Sequence, residues 1–293
     1  MIVRRILVPL DGSRLAEAAL PAAASVAQTL HARVLLLHVL ERDAPASVHG
    51  EAHLTSASDA KEYLEILAGS LHREGTEVEV DVHERPVSDV ATALDAHAHE
   101  LDADLIAMCA HGRTNLRERA LGTIAERILR GGSIPILLRT VRRAEKAEFR
   151  LRDVLVAIDF GHDVDAALDA ARTFARPYRA TITLLTVPEP PSPPARWLLP
   201  SAGALAREFG EADAERRLDG LAQRLRSESF DANTIVADQE PSDAIATATG
   251  SLPADLIVLV TDAHGRLSRW YDPSTVQRLL AMPDLTLLLI KEL

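Results

Sequence analysis

Cysteine is nearly missing from this 293-residue chain, which holds one, Cys109. A lone thiol makes no internal disulfide, so a disulfide-built scaffold is excluded and a reducing, cytoplasmic compartment is expected. Basic residues are the minority charge: 32 Lys and Arg stand against 43 Asp and Glu, a net charge of −11. So acidic a chain is a poor general binder of nucleic acid or of anionic membranes. No apolar run approaches the roughly 18 residues that cross a bilayer. The start, Met1–Leu10, is basic and then apolar, but Asp11-Gly12-Ser13 follows where a secretory leader would stay hydrophobic, so none is expected. What is present is an ordinary globular composition, 47% hydrophobic and 26% charged. The length suits about two domains, each with its own core.

A repeat organises the chain. Ile6-Leu-Val-Pro-Leu-Asp11-Gly12 returns as Val154-Leu-Val-Ala-Ile-Asp159-Phe-Gly161, at an offset of 148. Asp104-Leu-Ile-Ala-Met matches Asp255-Leu-Ile-Val-Leu, and His-Gly-Arg follows each, at His111–Arg113 and His264–Arg266. Pro135-Ile-Leu-Leu answers Thr286-Leu-Leu-Leu at an offset of 151. Blocks kept in one order with so little drift mark a tandem duplication. Domains are expected at residues 1–141 and 150–293, joined through the charged stretch Arg142–Arg150.

Strand and helix signals alternate within each copy. Ile2–Leu10 is an apolar run that stops at Asp-Gly, as a buried parallel strand does. Ser13 can cap the next helix, read over Ala16–Leu30. Strands follow at Arg33–Leu40, Thr76–His83, Asp104–Cys109 and Ile134–Arg139, with helices at Asp59–Glu74, Val87–His99 and Leu121–Arg130. Gly75 suits a helix C-terminus, and Ser88 or Asp89 suits a helix start. Five strands with helices between them make a parallel α/β sheet, and the second copy repeats it apart from a Pro-rich insert at Pro188–Pro200.

Ligands of open parallel sheets bind beyond the strand carboxyl ends, where the strand order reverses. Two such ends carry unusual residues: Pro9-Leu10-Asp11-Gly12-Ser13, and Met108-Cys109-Ala110-His111-Gly112-Arg113 followed by Gly122-Thr123 at a helix start. Gly112 permits a positive φ and close approach of a ligand. Gly122 and Thr123 place amide N–H groups and a hydroxyl at a helix N-terminus, where the dipole favours an anion. Arg113, Arg117 and Arg119 add positive potential, and Asp11 can accept from ribose hydroxyls. Tight turns and simple helix capping explain the same residues without a ligand, and spacing alone does not choose.

These motifs resemble the universal stress proteins in their tandem form, over effectively the whole chain. The family's nucleotide motif is Gly, two residues, Gly, nine residues, Gly, then Ser or Thr. Here those positions read Cys109, Gly112, Gly122 and Thr123, with nine residues at Arg113–Leu121. The resemblance implies two tandem five-stranded parallel sheets in the order 3-2-1-4-5, Rossmann-like with helices on both faces, so that both loops line one cleft. It implies ATP, with or without Mg2+, as ligand: Pro9, Leu10 and Asp11 on adenine and ribose, Val39 and Met108 in the adenine pocket. His111, Gly112 and Arg113 would lie along the phosphates, with Gly122, Thr123 and the Ile124 amide capping them. Cys109 departs from the motif's first Gly. The resemblance also implies a pseudo-dimer of the two halves through Ile134–Arg139 and Leu285–Ile290; association of two chains stays open.

The second copy departs further. Pro273 stands where the last motif Gly belongs and removes an amide donor, Trp270 and Tyr271 fill a shortened loop, and Asp262 adds negative charge before His264. That site is read as degenerate. Elsewhere the simpler readings prevail. Cys109 is a small buried hydrophobe rather than a redox sensor. His49 and His53, with Glu51 between, belong to a solvated loop rather than a metal site. His97 and His99, two apart, cannot share a helical face. Ser88 and Ser242 are helix caps, and no Gly-x-Ser-x-Gly elbow exists. The Pro188–Trp197 stretch is a stiff connector, with partner recognition as the alternative. The expectation is a nucleotide-binding stress-response regulator with one site in the first half and little or no turnover. Two alternatives stay open: a slow nucleotide hydrolase using Asp11 and His111 as an acid–base pair, and a nucleotide-free scaffold.

Overall fold

The computed structural model describes residues 1–48, 50–110, 124–125, 127–128, 132–140, 149–161, 163–188, 200–251, 254–261, 278–279, 282 and 285–291. In the first half the strands are β1 (Arg5–Pro9), β2 (Arg33–Glu41), β5 (Val78–Val87), β6 (Leu105–Ala110) and β7 (Ile136–Thr140). A small hairpin, β3 (Ser47–Val48) with β4 (Glu51–Ala52), stands apart from that sheet. The helices are α1 (Arg14–Glu17), α2 (Leu20–Leu30), α3 (Ala57–Arg73) and α4 (Val90–Glu100). The second half has β8 (Asp153–Ala157), α5 (Val164–Tyr178), β9 (Thr181–Thr186), α6 (Pro200–Ser227), β10 (Ala232–Val236), α7 (Pro241–Ser251), β11 (Leu256–Thr261) and β12 (Thr286–Lys291).

One ten-stranded sheet runs β10-β9-β8-β11-β12-β7-β6-β1-β2-β5. Each half therefore shows the order third, second, first, fourth, fifth, with parallel neighbours throughout. The halves meet where β12 pairs antiparallel with β7, Leu287 opposite Leu138 and Leu288 opposite Leu137. Both strands are apolar on both faces, so pairing removes what would otherwise be an aggregation-prone edge. Leu137 and Leu288 enter the core on one face of the sheet; Ile136, Leu138, Leu287 and Leu289 enter the core on the other. Each core is thus continuous across the two halves. Helix contacts add to it: Ser25 Oγ of α2 lies 3.0 Å from the Tyr178 hydroxyl of α5. Thr140 Oγ1 accepts from the Leu285 amide at 2.9 Å and donates to the Met282 carbonyl at 2.8 Å.

The repeated Asp-Leu-Ile blocks have a structural explanation. Asp104 Oδ2 accepts from the amides of Arg4 (2.7 Å) and Arg5 (3.0 Å), and Asp255 Oδ2 does the same for Arg152 (2.7 Å) and Asp153 (3.2 Å). Each carboxylate fastens the start of the neighbouring first strand, and β1 accordingly begins at Arg5 rather than at Ile2.

Several local expectations need correction. Val87, expected in a helix, ends β5, Asp89 rather than Ser88 caps α4, and Ser242 lies inside α7 rather than capping it. The helix expected over Ala16–Leu30 is two helices, α1 and α2, with Pro21 in the first turn of the second. Proline lacks an N–H and is accommodated there, whereas inside one long helix it would break a hydrogen bond. The stretch expected as a solvated loop around His53 carries the β3–β4 hairpin, because Glu51 is anchored: its carboxylate accepts from the Arg14 amide at 2.6 Å.

Candidate functional site

The first-half crevice arises from strand order. β2 follows β1 on one side and β6 lies on the other, so the connections leave the sheet in opposite directions at this point. The ladder between β1 and β6 is confined to Ile6 with Leu105 and Leu7 with Ile106, and the strands part beyond it. Pro9, Leu10 and Asp11 thus sit at one lip, Met108 and Cys109 at the other, and Val39 near the end of adjacent β2.

Asp11 is set by a tight local arrangement. Its Oδ1 accepts from the Ser13 amide at 2.9 Å and from the Ser13 hydroxyl at 2.6 Å. Ser13 Oγ in turn accepts from the Ala16 amide at 3.2 Å and caps α1. Gly12 between them has a φ of +88°, where a side chain would be strained. Leu10 is fastened from both ends: its amide donates to the Leu37 carbonyl at 2.9 Å, and its own carbonyl lies 2.7 Å from His38 Nδ1.

Val39 and Met108 share the sheet face that also carries Leu7, Leu37 and Ile106, an apolar wall. Cys109 points to the opposite face, among Val8 and Leu10. Burial pushes its thiol up to about 12, with Arg139 opposing and Asp11 adding to the shift. A neutral buried thiol suits the reading of Cys109 as a small apolar residue. Ile124, 39% exposed, lies on a helical turn. His111, Gly112, Arg113, Gly122 and Thr123 lie outside the described residues, as do Arg117 and Arg119. The same holds for His49, Trp197, Asp262, His264, Trp270, Tyr271, Pro273 and Ser274.

The second half repeats the scaffold and alters the contents. Asp159 Oδ1 accepts from the Gly161 amide at 3.0 Å, the counterpart of the Asp11 turn. Thr186 Oγ1 donates to the Ile158 carbonyl at 2.8 Å, the counterpart of His38 on Leu10. Phe160, however, stands where the first half has Gly12, and the Arg217 guanidinium of α6 lies 3.8 Å over its ring.

Several of these side chains escape a reading of the sequence by motif. His38, 1% exposed, is one polar residue in an otherwise apolar strand, and its match to Thr186 at the repeat offset was its available signal. His97 pairs with His83 of β5, Nε2 to Nδ1 at 2.6 Å, rather than with its helix neighbour His99. His97 Nδ1 also lies 3.3 Å from Glu100. Among the described residues, no group of three or more His, Cys, Asp or Glu is arranged to hold a metal ion. None of the described helices is long and apolar enough to cross a membrane.

Fold and crevice define a class: a two-domain, Rossmann-like α/β protein whose halves pair as a pseudo-dimer and whose first half opens at a strand-order switch point. The chain belongs to the universal stress protein family, a family of nucleotide-binding stress-response proteins, and matches its profile over residues 3–139 and 150–291. A universal stress protein of Methanocaldococcus jannaschii is 26% identical over 139 residues, covering 47% of this chain and 82% of that protein. A universal stress protein structure from Archaeoglobus fulgidus superposes with a TM-score of 0.76 at 17% identity, covering 98% of each chain. A putative universal stress protein from Pseudomonas aeruginosa gives 0.63 at 20% identity, over 99% of this chain and 93% of its own. At those identities the structural matches speak for the fold alone.

Proposed function

We propose that the first-half crevice binds an adenine nucleotide, ATP in the first instance, and that the protein works as a nucleotide-responsive regulator with little turnover. The observation that carries this reading is the placement of Pro9–Asp11, Val39 and Met108 around one strand-order reversal. The residues present suit the ligand. Val39 and Met108 offer an apolar wall for a purine, and Asp11 offers a carboxylate for ribose hydroxyls, its orientation held by Ser13. Gly112, Arg113, Gly122, Thr123 and the Ile124 amide are assigned to the phosphates from the motif, with His111 beside them. Mg2+ would accompany the phosphates and neutralise part of their charge.

The second half does not take a nucleotide in this reading. A ring and a guanidinium lie where the first half has a glycine beneath the Leu54 side chain, and the motif there is broken by Pro273. Domain limits of 1–141 and 150–293 go with this assignment of one working and one degenerate half.

Thermal unfolding of nucleotide-stripped protein with and without millimolar Mg-ATP tests the reading, beside a Gly122→Val variant. Ligand at about a hundred times its dissociation constant stabilises by about 2.7 kcal/mol. In a chain of this size that moves the midpoint by about 5 °C. A shift lost in Gly122→Val supports one site in the first half. No shift in either protein leaves the scaffold reading, and phosphate release that disappears in Asp11→Ala favours the hydrolase.

A further inference from the structure

His38 and Thr186 are repeat equivalents, 148 residues apart like Asp11 and Asp159. Each faces the carbonyl just before its aspartate: His38 Nδ1 lies 2.7 Å from Leu10 O, and Thr186 Oγ1 lies 2.8 Å from Ile158 O. A hydroxyl is therefore enough for that local task. The imidazole adds a second polar atom, Nε2, and this lies 3.2 Å from the carbonyl oxygen of Leu54. Leu54 belongs to the segment after β4, and its side chain covers Gly12: a Cβ at Gly12 would fall 2.9 Å from Leu54 Cγ and Cδ1. Glu51, in the same segment, accepts from the Arg14 amide at 2.6 Å. The second half covers the equivalent place with Phe160 and Arg217 instead.

From this difference between the halves we infer that His38 is a positioning residue: it clamps the Glu51–Leu54 segment beside Asp11 and Gly12 as a wall of the nucleotide crevice, and so slows nucleotide release. The inference rests on the nucleotide reading above. Both ring nitrogens face carbonyl oxygens, and a neutral imidazole has one N–H, so both carbonyls are served at once only when the ring carries two protons. On β5 the residue beside His38 is the apolar Val82.

Two substitutions at His38 separate the clamp from the local bond. His38→Thr keeps the contact to Leu10, as Thr186 does in its half, and loses the reach to Leu54. His38→Gln places an amide donor near the position of Nε2. Amide exchange of residues 50–56 in nucleotide-free protein at pH 6 is the first readout. It is expected to rise about tenfold in His38→Thr, the loss of one hydrogen bond, and to stay near wild type in His38→Gln. The second readout is release of a fluorescent ATP analogue, expected to be about tenfold faster in His38→Thr and in Leu54→Ala, which leaves the buried ring untouched. Unchanged exchange in His38→Thr overturns the clamp. Raised exchange with unchanged release in both variants overturns its role at the crevice. Raised exchange in a protein that binds no analogue leaves the clamp standing and removes the nucleotide reading.

Discussion

The Arg217 guanidinium lies 3.8 Å over the ring of Phe160, at the position that Gly12 holds in the first half. Matching scaffolds thus present different surfaces at their first-strand ends: a glycine turn under the Leu54 side chain in one, a stacked cation and ring in the other. Titration calorimetry with Mg-ATP should return one nucleotide per chain. Asp11→Ala is expected to abolish the heat, and Asp159→Ala to leave it intact. Two equivalents in the wild type would contradict the assignment of one working half. A cation–π pair at so exposed a cation contributes about 0.5–1 kcal/mol. Arg217→Ala should therefore lower the midpoint by only a few degrees and should not open a second site.

Cys109 yields a prediction about reactivity and pH. Its thiol is buried, and burial holds it protonated up to about pH 12. Native protein at pH 8 should resist a thiol-specific chromogenic reagent, and labelling should rise only with unfolding. The linkage has a definite sign. In the unfolded chain the thiol ionises near its ordinary value of 9.0, while in the fold it keeps its proton to about 12. Stability from this group falls as pH climbs through that window, because the unfolded state then gains by losing a proton. Cys109→Ala should flatten the decline between pH 9 and 11. Rapid labelling of native protein at pH 8 would instead mark an accessible, reactive thiol.

Much of this architecture is legible from the residues, and the reasons are physical. The central strands bury both faces, so their apolar runs are continuous, and the first strands end abruptly before Asp11 and Asp159. Asp89 was visible as a helix start, and it does cap α4 by accepting from the Thr92 amide at 3.1 Å. Contacts between distant segments leave weaker marks. Nothing in the polar stretch around Glu51 says that its carboxylate will meet the Arg14 amide, and the β3–β4 hairpin goes unread for that reason. His38 looks like any histidine in a strand until Leu54 is brought beside it. The break between α1 and α2 is a local feature missed despite a local cause, Pro21.

The junction of the halves predicts how the chain unfolds. Leu137 and Leu288 are opposite one another across β7 and β12, and both belong to a core that runs through both halves. Neither half can open its β7–β12 edge without exposing leucines of the other. Calorimetry should show one transition, and Leu137→Ala should lower it as a unit, by about 2–5 kcal/mol for a buried leucine truncated to alanine. Two separable transitions would mean that the halves are energetically independent despite the shared core.

Gly12 and Leu54 permit a double-mutant cycle. At Gly12 two penalties await any side chain: the φ of +88° and a methyl 2.9 Å from Leu54. The backbone penalty is about 1–2 kcal/mol for an L-residue in a left-handed conformation. The steric one depends on whether Leu54 can move, and Leu54 O is held by His38. Gly12→Ala alone should cost more than the backbone term. In a Leu54→Ala background it should cost only that term, so denaturant unfolding of the four proteins should give a coupling of about 0.5–3 kcal/mol. Strict additivity would mean that the segment shifts freely off Gly12. The leucine would then be resting on the turn without being fastened to it.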